Sequence, residues 1–451
     1  MRRLALLAAL LAWPAPGGAE LRPGALKNKS VVLVSIDTLR ADHLGAYGYP
    51  RPTSPNLDAL AAESVVFERC NSHSPKTASS HMSLMTGVLP AAHGVLNWGE
   101  TPLLSRPEAL PTLASLLKRA GYRTAAYTSG GNVAAELGFD HGFDAYVDAK
   151  DASLSLARLA LEDLARERRP FFLFVHTYAV HDPYTPPEEH ARLFVAPGYA
   201  GRIVASRERL GVEDDWWAQH RAYWARVGSN DPADRRHLVD LYDGAIRAMD
   251  AELGLLLGRM RALVGDDALL VVLSDHGEEF QEHGQWTHNS VYDEVLHVPL
   301  FLRFPGGRDA RRVSDVVRLS DVMPTLLDLV GVSTPEHVQG ASLLGVLEGA
   351  DRQPRQVLAE WAAQGLTALR LRDLKYVSRP KGEELYDLLQ DPGETRNLLP
   401  TEKERAYALR LVAERVAEAS FALKERLGKG GTPRLDPETR RQLEALGYVG
   451  P

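Results

Sequence analysis

A chain of 451 residues is too long for one small core and predicts one large domain with a smaller one beside it. Its 45% hydrophobic and 25% charged residues are ordinary for a globular protein, and a net charge of −7 denies it the basic footprint of a nucleic-acid binder. With Cys70 as its single cysteine, it has no intramolecular disulfide.

Residues 1–19 read as a removable export signal. Met1-Arg2-Arg3 is a basic start, the stretch from Leu4 to Trp13 is apolar, and Gly17-Gly18-Ala19 is a small-residue cleavage site. The apolar stretch is about half the length of a membrane span, and no cysteine follows the cleavage site to carry a lipid anchor. Cleavage removes Arg2 and Arg3 and takes the net charge from −7 to −9. No later segment reaches about 18 uninterrupted apolar residues. The mature chain is therefore expected to be exported, without a transmembrane segment, to a periplasm or the cell exterior.

Val31-Val32-Leu33-Val34-Ser35-Ile36 predicts a buried strand ending in Asp37. Residues 111–120 predict a helix with Leu113, Leu116, Leu117 and Ala120 on one face, Pro111 in its first turn and Gly121 at its end. Strands are predicted at 123–128 and 170–175. A helix at 252–263 feeds a second continuous apolar strand at 268–273, which ends in Ser274-Asp275-His276-Gly277. Another short strand is predicted at 298–302. This rhythm implies an α/β fold, a mostly parallel sheet sandwiched by helices, in a domain over 27–345. Residues 188–235, with Trp216, Trp217, Tyr223 and Trp224, interrupt it, either to shape a substrate cleft or to pack on the main body. A polar stretch at 346–356 marks a boundary. Beyond it, strands at 356–360, 366–372 and 375–378 and a helix at 401–426 make a small α+β subdomain over 355–451.

Two predicted strands thus end in acids, and one of those acids is followed by an imidazole. Ligands of open α/β sheets bind at the carboxyl ends of strands. Two carboxylates and a neutral imidazole gathered there outline a site for a divalent cation.

Further runs occur in order along the chain. They are Ser35-Ile36-Asp37-Thr38-Leu39-Arg40-Ala41-Asp42, residues 75–87 with Leu89-Pro90 and His93-Gly94, then Val175-His176 and His181-Asp182-Pro183-Tyr184. Tyr242-Asp243 with Met249-Asp250, the run at 274–277, and His288 with Tyr292-Asp293-Glu294 follow. Leu385-Tyr386-Asp387-Leu388, Asp391-Pro392, Asn397-Leu398 and Leu446-Gly447-Tyr448 complete the series. Together they resemble the sulfatase family of the alkaline phosphatase superfamily over nearly the whole mature chain.

The resemblance implies that superfamily's fold and one metal-assisted site. Counting back nine from Thr86 of Thr86-Gly87, it implies a nucleophile at Thr77, where the family carries a cysteine or serine that becomes formylglycine. Ser79 and His81 stand where the motif has proline and arginine, so the chain looks like a threonine variant. Alternatively, Thr77 caps a helix starting near Ala78. The implied metal shell is Asp37, Thr77, Asp275 and His276, with Thr38 in place of a second acid. Calcium is the family's metal, and this smaller nitrogen and oxygen set suits zinc or manganese as well.

His181 matches the histidine that faces the ester's leaving oxygen. His288, four residues before Tyr292, stands where the family carries a lysine that touches the sulfate, so an imidazolium is expected to take that role. Lys76 is expected to add permanent charge, or else to be solvated, and His81 to orient the nucleophile loop. Cys70 lies seven residues too early for the motif and reads as a small buried residue. Arg40 reads as a structural partner for nearby acids. Glu278 and His283 are expected on a solvated loop.

A formylglycine hydrate expels sulfate by collapsing to the aldehyde, and threonine has no such route. Its sulfo- or phospho-ester must be opened by water. The expected activity is hydrolysis of a small anionic sulfate or phosphate ester. The alternatives are a transferase passing a phospho-headgroup through phosphothreonine, and a non-catalytic binding protein that kept the fold.

Overall fold

The structure is a computed structural model that describes residues 21–95, 109–206, 208–212, 216–228 and 231–428. The export signal at 1–19 and the Leu446-Gly447-Tyr448 run lie outside the described residues. No helix among the described residues is long and apolar enough to cross a membrane.

The strands, in chain order, are β1 Val31–Ile36, β2 Val65–Asn71, β3 Arg123–Thr128, β4 Ala145–Asp148, β5 Phe171–Thr177 and β6 Leu269–Leu273. Then come β7 Glu279–Phe280, β8 Trp286–Thr287, β9 His297–Val298, β10 Leu300–Arg303 and β11 Arg311–Arg318. A separate group holds β12 Gln356–Trp361, β13 Leu366–Leu371, β14 Leu374–Arg379 and β15 Gly382–Asp387. The central sheet has the order β11-β2-β10-β6-β1-β5-β3-β4, with β9 beside β2. β1, β3, β4, β5 and β6 are parallel, and β10 is antiparallel to both β6 and β2. The chain stays at the carboxyl end of the sheet after β6 and re-enters from there, which fixes that reversed direction.

Every residue of β1, β5 and β6 is buried. Their side chains alternate between two helical layers, as the pleat demands. Leu33, Phe172 and Phe174 pack with Leu113 and Leu117 and with the helix Val322–Val330. Val32, Val34, Leu173 and Val175 pack with Leu154 and Leu161 of Ser153–Arg166 and with Leu241 and Leu253 of Pro232–Val264. This is the sandwiched, mostly parallel sheet that the sequence predicts.

Some elements differ from expectation. The helix expected at 111–120 is Leu113–Arg119, because the Thr112 hydroxyl accepts the Ser115 N–H at 3.1 Å and caps it. The helix expected at 252–263 is the 33-residue Pro232–Val264. Its first half hides polar residues on the buried face, which breaks the apolar period. Asp243 there pairs with His43 and Arg51, and Asp250 accepts the N–H groups of Asn56 and Leu57. Within the irregular 188–235 stretch, Ala191, Ile203, Leu210 and Tyr223 are buried in the core beside this helix.

The second sheet runs β12-β13-β14-β15, all antiparallel. Strand β15 is an addition to the predicted set. The helix Lys403–Leu427 covers one face through Leu409 and Ala413. The other face packs Ala359, Val377 and Tyr386 on Val291, Tyr292 and Leu296. An ion-pair knot fastens the two: the buried Lys375 ammonium lies 2.7 Å from Asp293 and 3.0 Å from Glu394, and Arg370 reaches Asp293 at 3.1 Å. Replacing Lys375 with Met should strand the Glu394 carboxylate, leave Asp293 with Arg370 alone, and cost about 3 kcal/mol. Denaturant unfolding of wild type and Lys375→Met measures that loss directly.

Candidate active site

Strands β1 and β6 lie side by side in parallel, with Ser35 opposite Leu273. The residues just beyond their ends therefore meet. Asp37 donates its backbone N–H to the Thr177 carbonyl at 3.0 Å. Ser274 joins the two strand-end loops: its hydroxyl accepts the Leu39 N–H at 3.0 Å and donates to the His276 carbonyl at 2.7 Å.

One ligand atom each from Asp37, Asp275 and His276 lies within 4.8 Å of the others, and all three residues are fully buried. Asp37 Oδ1 and both carboxylate oxygens of Asp275 have no hydrogen-bond partner. Burial and the neighbouring Asp37 charge push the Asp275 carboxyl well up. Burial also raises Asp37, but the His176 hydrogen bond and the surrounding imidazoles outweigh it and hold Asp37 low. Two adjacent buried carboxylates with a single donor between them are costly unless a cation lies there.

The imidazole is turned to help. His276 Nδ1 donates to the Gly277 carbonyl at 3.0 Å, which leaves the Nε2 lone pair facing inward, 3.3 Å from Thr77 Oγ1. Burial pushes His276 down to about 4, so it is a neutral ligand. These residues fit a divalent cation held by Asp37, Asp275, His276 Nε2 and Thr77 Oγ1.

Thr77 is the first residue of the buried helix Thr77–Thr86. Lys76 takes the cap position and no side chain caps the helix, so Thr77 is not the cap. The free N–H groups of that first turn open beside its hydroxyl. His81 sits one turn on. Its Nδ1 donates to the Thr77 carbonyl at 2.9 Å and its Nε2 accepts from Ser35 Oγ at 2.9 Å. Burial and His176 lower it to about 3, so His81 holds the helix start as a neutral group.

Lys76 is buried, not solvated. Its ammonium lies 4.0 Å from the centre of the Trp361 ring and donates to Asn289 Oδ1 at 3.0 Å and His288 Nδ1 at 3.1 Å. Burial pulls it down to about 7, so the permanent charge expected of it is conditional. His288 also departs from expectation. Burial and the adjacent Lys76 hold it well below the usual imidazole range, so it is neutral rather than an imidazolium. Its ring centre is 4.6 Å from that of His276 and 5.4 Å from that of His181.

His181 Nδ1 is 2.7 Å from the Asp182 carbonyl and 3.2 Å from Asp182 Oδ1, and its Nε2 is buried without a hydrogen-bond partner. Asp182 is itself fixed by the Trp224 indole N–H at 2.6 Å and His220 at 2.9 Å. Arg40 pairs with Asp42 and Glu282, away from the cluster, and Cys70 is buried in β2.

Two groups stand closer to the site than sequence reasoning placed them. His176, opposite Ser35 in β5, lies with its Nε2 3.3 Å from Asp37 Oδ2. An imidazole in the last turn of an all-apolar strand is the sequence sign of it. Glu278 was expected on a solvated loop and is fully buried, with neither carboxylate oxygen hydrogen-bonded. The backbone here runs tightly against Glu294: a Cβ at Gly277 would meet the Glu294 carbonyl at 2.1 Å, and the Glu278 N–H donates to that carbonyl at 3.1 Å. His283 is part-buried, stacked on Tyr292 with ring centres 3.6 Å apart and 3.5 Å from Glu294.

The family model described as Sulfatase matches residues 29–332, and that of the N-sulphoglucosamine sulphohydrolase C-terminal region matches 281–420. A Delta 4,5-hexuronate-2-O-sulfatase of Bacteroides thetaiotaomicron is 23% identical over 83% of this chain and 85% of its own. A choline-sulfatase of Rhizobium meliloti is 28% identical over 76% and 77%. The phosphonate monoester hydrolase of Agrobacterium radiobacter shares the fold with a TM-score of 0.63, at 23% identity over 89% of this chain and 96% of that one.

Asp275→Ala should abolish stoichiometric divalent-metal binding by the purified protein, read by calorimetry and by metal content after dialysis. Binding equal to wild type would remove Asp275 from the site.

Proposed function

The chain belongs to the sulfatase family of sulfuric ester hydrolases, and from that premise we propose a metal-dependent ester hydrolase with Thr77 as its nucleophile. The observation that carries this reading is the Thr77 hydroxyl at a buried helix start, 3.3 Å from His276 and beside two buried carboxylates with three of their four oxygens lacking a donor. A bound divalent cation supplies Lewis-acid stabilisation of ester oxygens and lowers the proton affinity of the hydroxyl. The donor set suits zinc or manganese as well as calcium. We read the enzyme as exported on the strength of residues 1–19, with the periplasm or exterior as its place of work.

In the first step the Thr77 oxygen, having lost its proton to solvent, attacks the phosphorus or sulfur, and the bond to the leaving oxygen breaks. His181, as an imidazolium supported by Asp182, gives its Nε2 proton to that oxygen and leaves as the neutral base. The first-turn N–H groups and Lys76 offset charge on the transferred group. In the second step His181 takes a proton from water as the water attacks the same centre, and the bond to Thr77 breaks. Acid and base roles thereby alternate on one nitrogen.

Threonine has no second hydroxyl on the carbon that bears the nucleophilic oxygen, so collapse to an aldehyde is closed to it. Water must open the intermediate, and a transferred phosphoryl group carries more charge for a cation, Lys76 and the helix start to hold. Phosphate esters are therefore the favoured substrates. The fold also serves a phosphonate monoester hydrolase.

Mass spectrometry of the mature protein should show unmodified Thr77 and Cys70, and an aldehyde at Cys70, Ser79 or Ser80 would move the nucleophile. Aryl phosphates should turn over at least about tenfold faster than matching aryl sulfates, roughly 1.4 kcal/mol in barrier. Thr77→Ala should remove the activity. Preference for the sulfate with Thr77 unmodified refutes the phosphoryl reading.

A further inference from the structure

Asn132 stands at the carboxyl end of the sheet with a side chain that bonds to nothing in the protein. It belongs to the short turn Gly131–Val133, just past β3. Strand β3 runs parallel to β5, with Tyr127 opposite Val175, so the turn opens on the same edge as the loop that bears His181. Gly130 and Gly131 lead into it in the left-handed region, with φ of 68° and 60°. A Cβ at Gly130 would meet Asp148 Oδ2 at 2.4 Å, so only glycine lets the turn fold this tightly.

Two contacts fix Asn132 between groups of the candidate site. Its backbone N–H donates to Tyr178 Oη at 3.1 Å, and the Tyr178 ring centre is 4.6 Å from that of His176 and 5.4 Å from that of His181. The next residue, Val133, packs in one cluster with Ala78 and Met82, and Ala78 directly follows Thr77 in the helix Thr77–Thr86. Asn132 is therefore flanked by the start of the Thr77 helix on one side and by the surroundings of His181 on the other.

Asn132 is 1% exposed, and neither its Nδ2 nor its Oδ1 has a hydrogen-bond partner. Among the described residues, no other side-chain amide has both polar atoms buried and unpartnered. An amide buried in this way loses its bonds to water and gains none, and a leucine of similar shape would remove that cost. Its presence is accounted for by a partner that arrives from outside. An amide open at both ends can donate to an anionic oxygen and accept from a hydroxyl or water.

We infer that Asn132 is a further substrate-binding residue, whose Nδ2 donates to a non-bridging oxygen of the phosphoryl group held between Thr77 and His181. The inference rests on the hydrolase reading above, which places the ester between those two residues.

Asn132→Leu in the full, metal-loaded chain separates a binding role from a structural one. With no protein partner to lose, the variant should melt at or above the wild-type Tm. Its kcat/KM for phenyl phosphate should fall about a hundredfold, the scale of losing one donor to a developing anion. Inorganic phosphate, whose binding needs no turnover, should bind about tenfold more weakly by calorimetry. Asn132→Ala should show the same two losses, and it guards against a leucine variant that does not fold. Wild-type kcat/KM and phosphate binding in either folded variant would overturn the inference, and a lowered Tm beside them would make Asn132 a structural residue. If the wild type binds phosphate but hydrolyses no ester, weaker phosphate binding by both variants keeps Asn132 as an anion contact and removes the hydrolase reading instead. Phosphate binding untouched by both substitutions in such a protein removes both.

Discussion

Asp37 and Asp275 stand just beyond the ends of adjacent parallel strands, fully buried, with three of their four oxygens lacking any donor. Like charges so placed repel in a medium that screens them poorly. The groups around them answer that repulsion. His176 donates to Asp37, His276 turns a lone pair inward, and a helix start brings its N–H groups and Thr77 to the same spot. Two serines, Ser274 and Ser80, fix the loops that bear the pair through the Leu39 N–H and the Asp275 carbonyl. Remove the need to hold two acids together and little of this arrangement has a purpose.

The character of the site follows from which cations it lacks. At the place where the resemblance implies an arginine, His81 is neutral and bonded to the backbone of Thr77. Where a lysine is expected near the ester, His288 is neutral and accepts from Lys76. Lys76 carries a proton that can be positive, and burial makes that charge depend on its surroundings. Permanent positive charge therefore has to come from what binds between the acids, and the protein around it acts by hydrogen bonds and placement.

The strands that deliver the acids were legible because each is an unbroken apolar run ending in a polar residue, a pattern few other structures produce. Thr77, His81 and His276 followed from motif order, and the structure brings them to one place. The first half of the helix Pro232–Val264 was hidden, since Asp243 and Asp250 lie on its buried face and satisfy partners distant in sequence. Glu278 was misread for a similar reason: its N–H is bonded to the Glu294 carbonyl, a partner outside its own segment. The charge states of Lys76 and His288 were misread because their burial depends on Trp361 and on each other, contacts that no local pattern records. Local periodicity reports on the sheet, whereas desolvation is set by the whole fold.

Trp361 belongs to β12, in the small second sheet, yet its ring lies on the Lys76 ammonium next to Thr77. That same strand accepts from His73 through the Leu358 carbonyl and donates the Glu360 N–H to the His73 carbonyl, just upstream of Lys76. The two units are therefore not interchangeable modules. In any exchange of C-terminal regions among relatives, the incoming strand would bring its own residue to this place and reset the basicity of the neighbouring lysine. Divergence of the second unit is thus a route by which such a protein can retune its chemistry while every residue of the first unit stays the same.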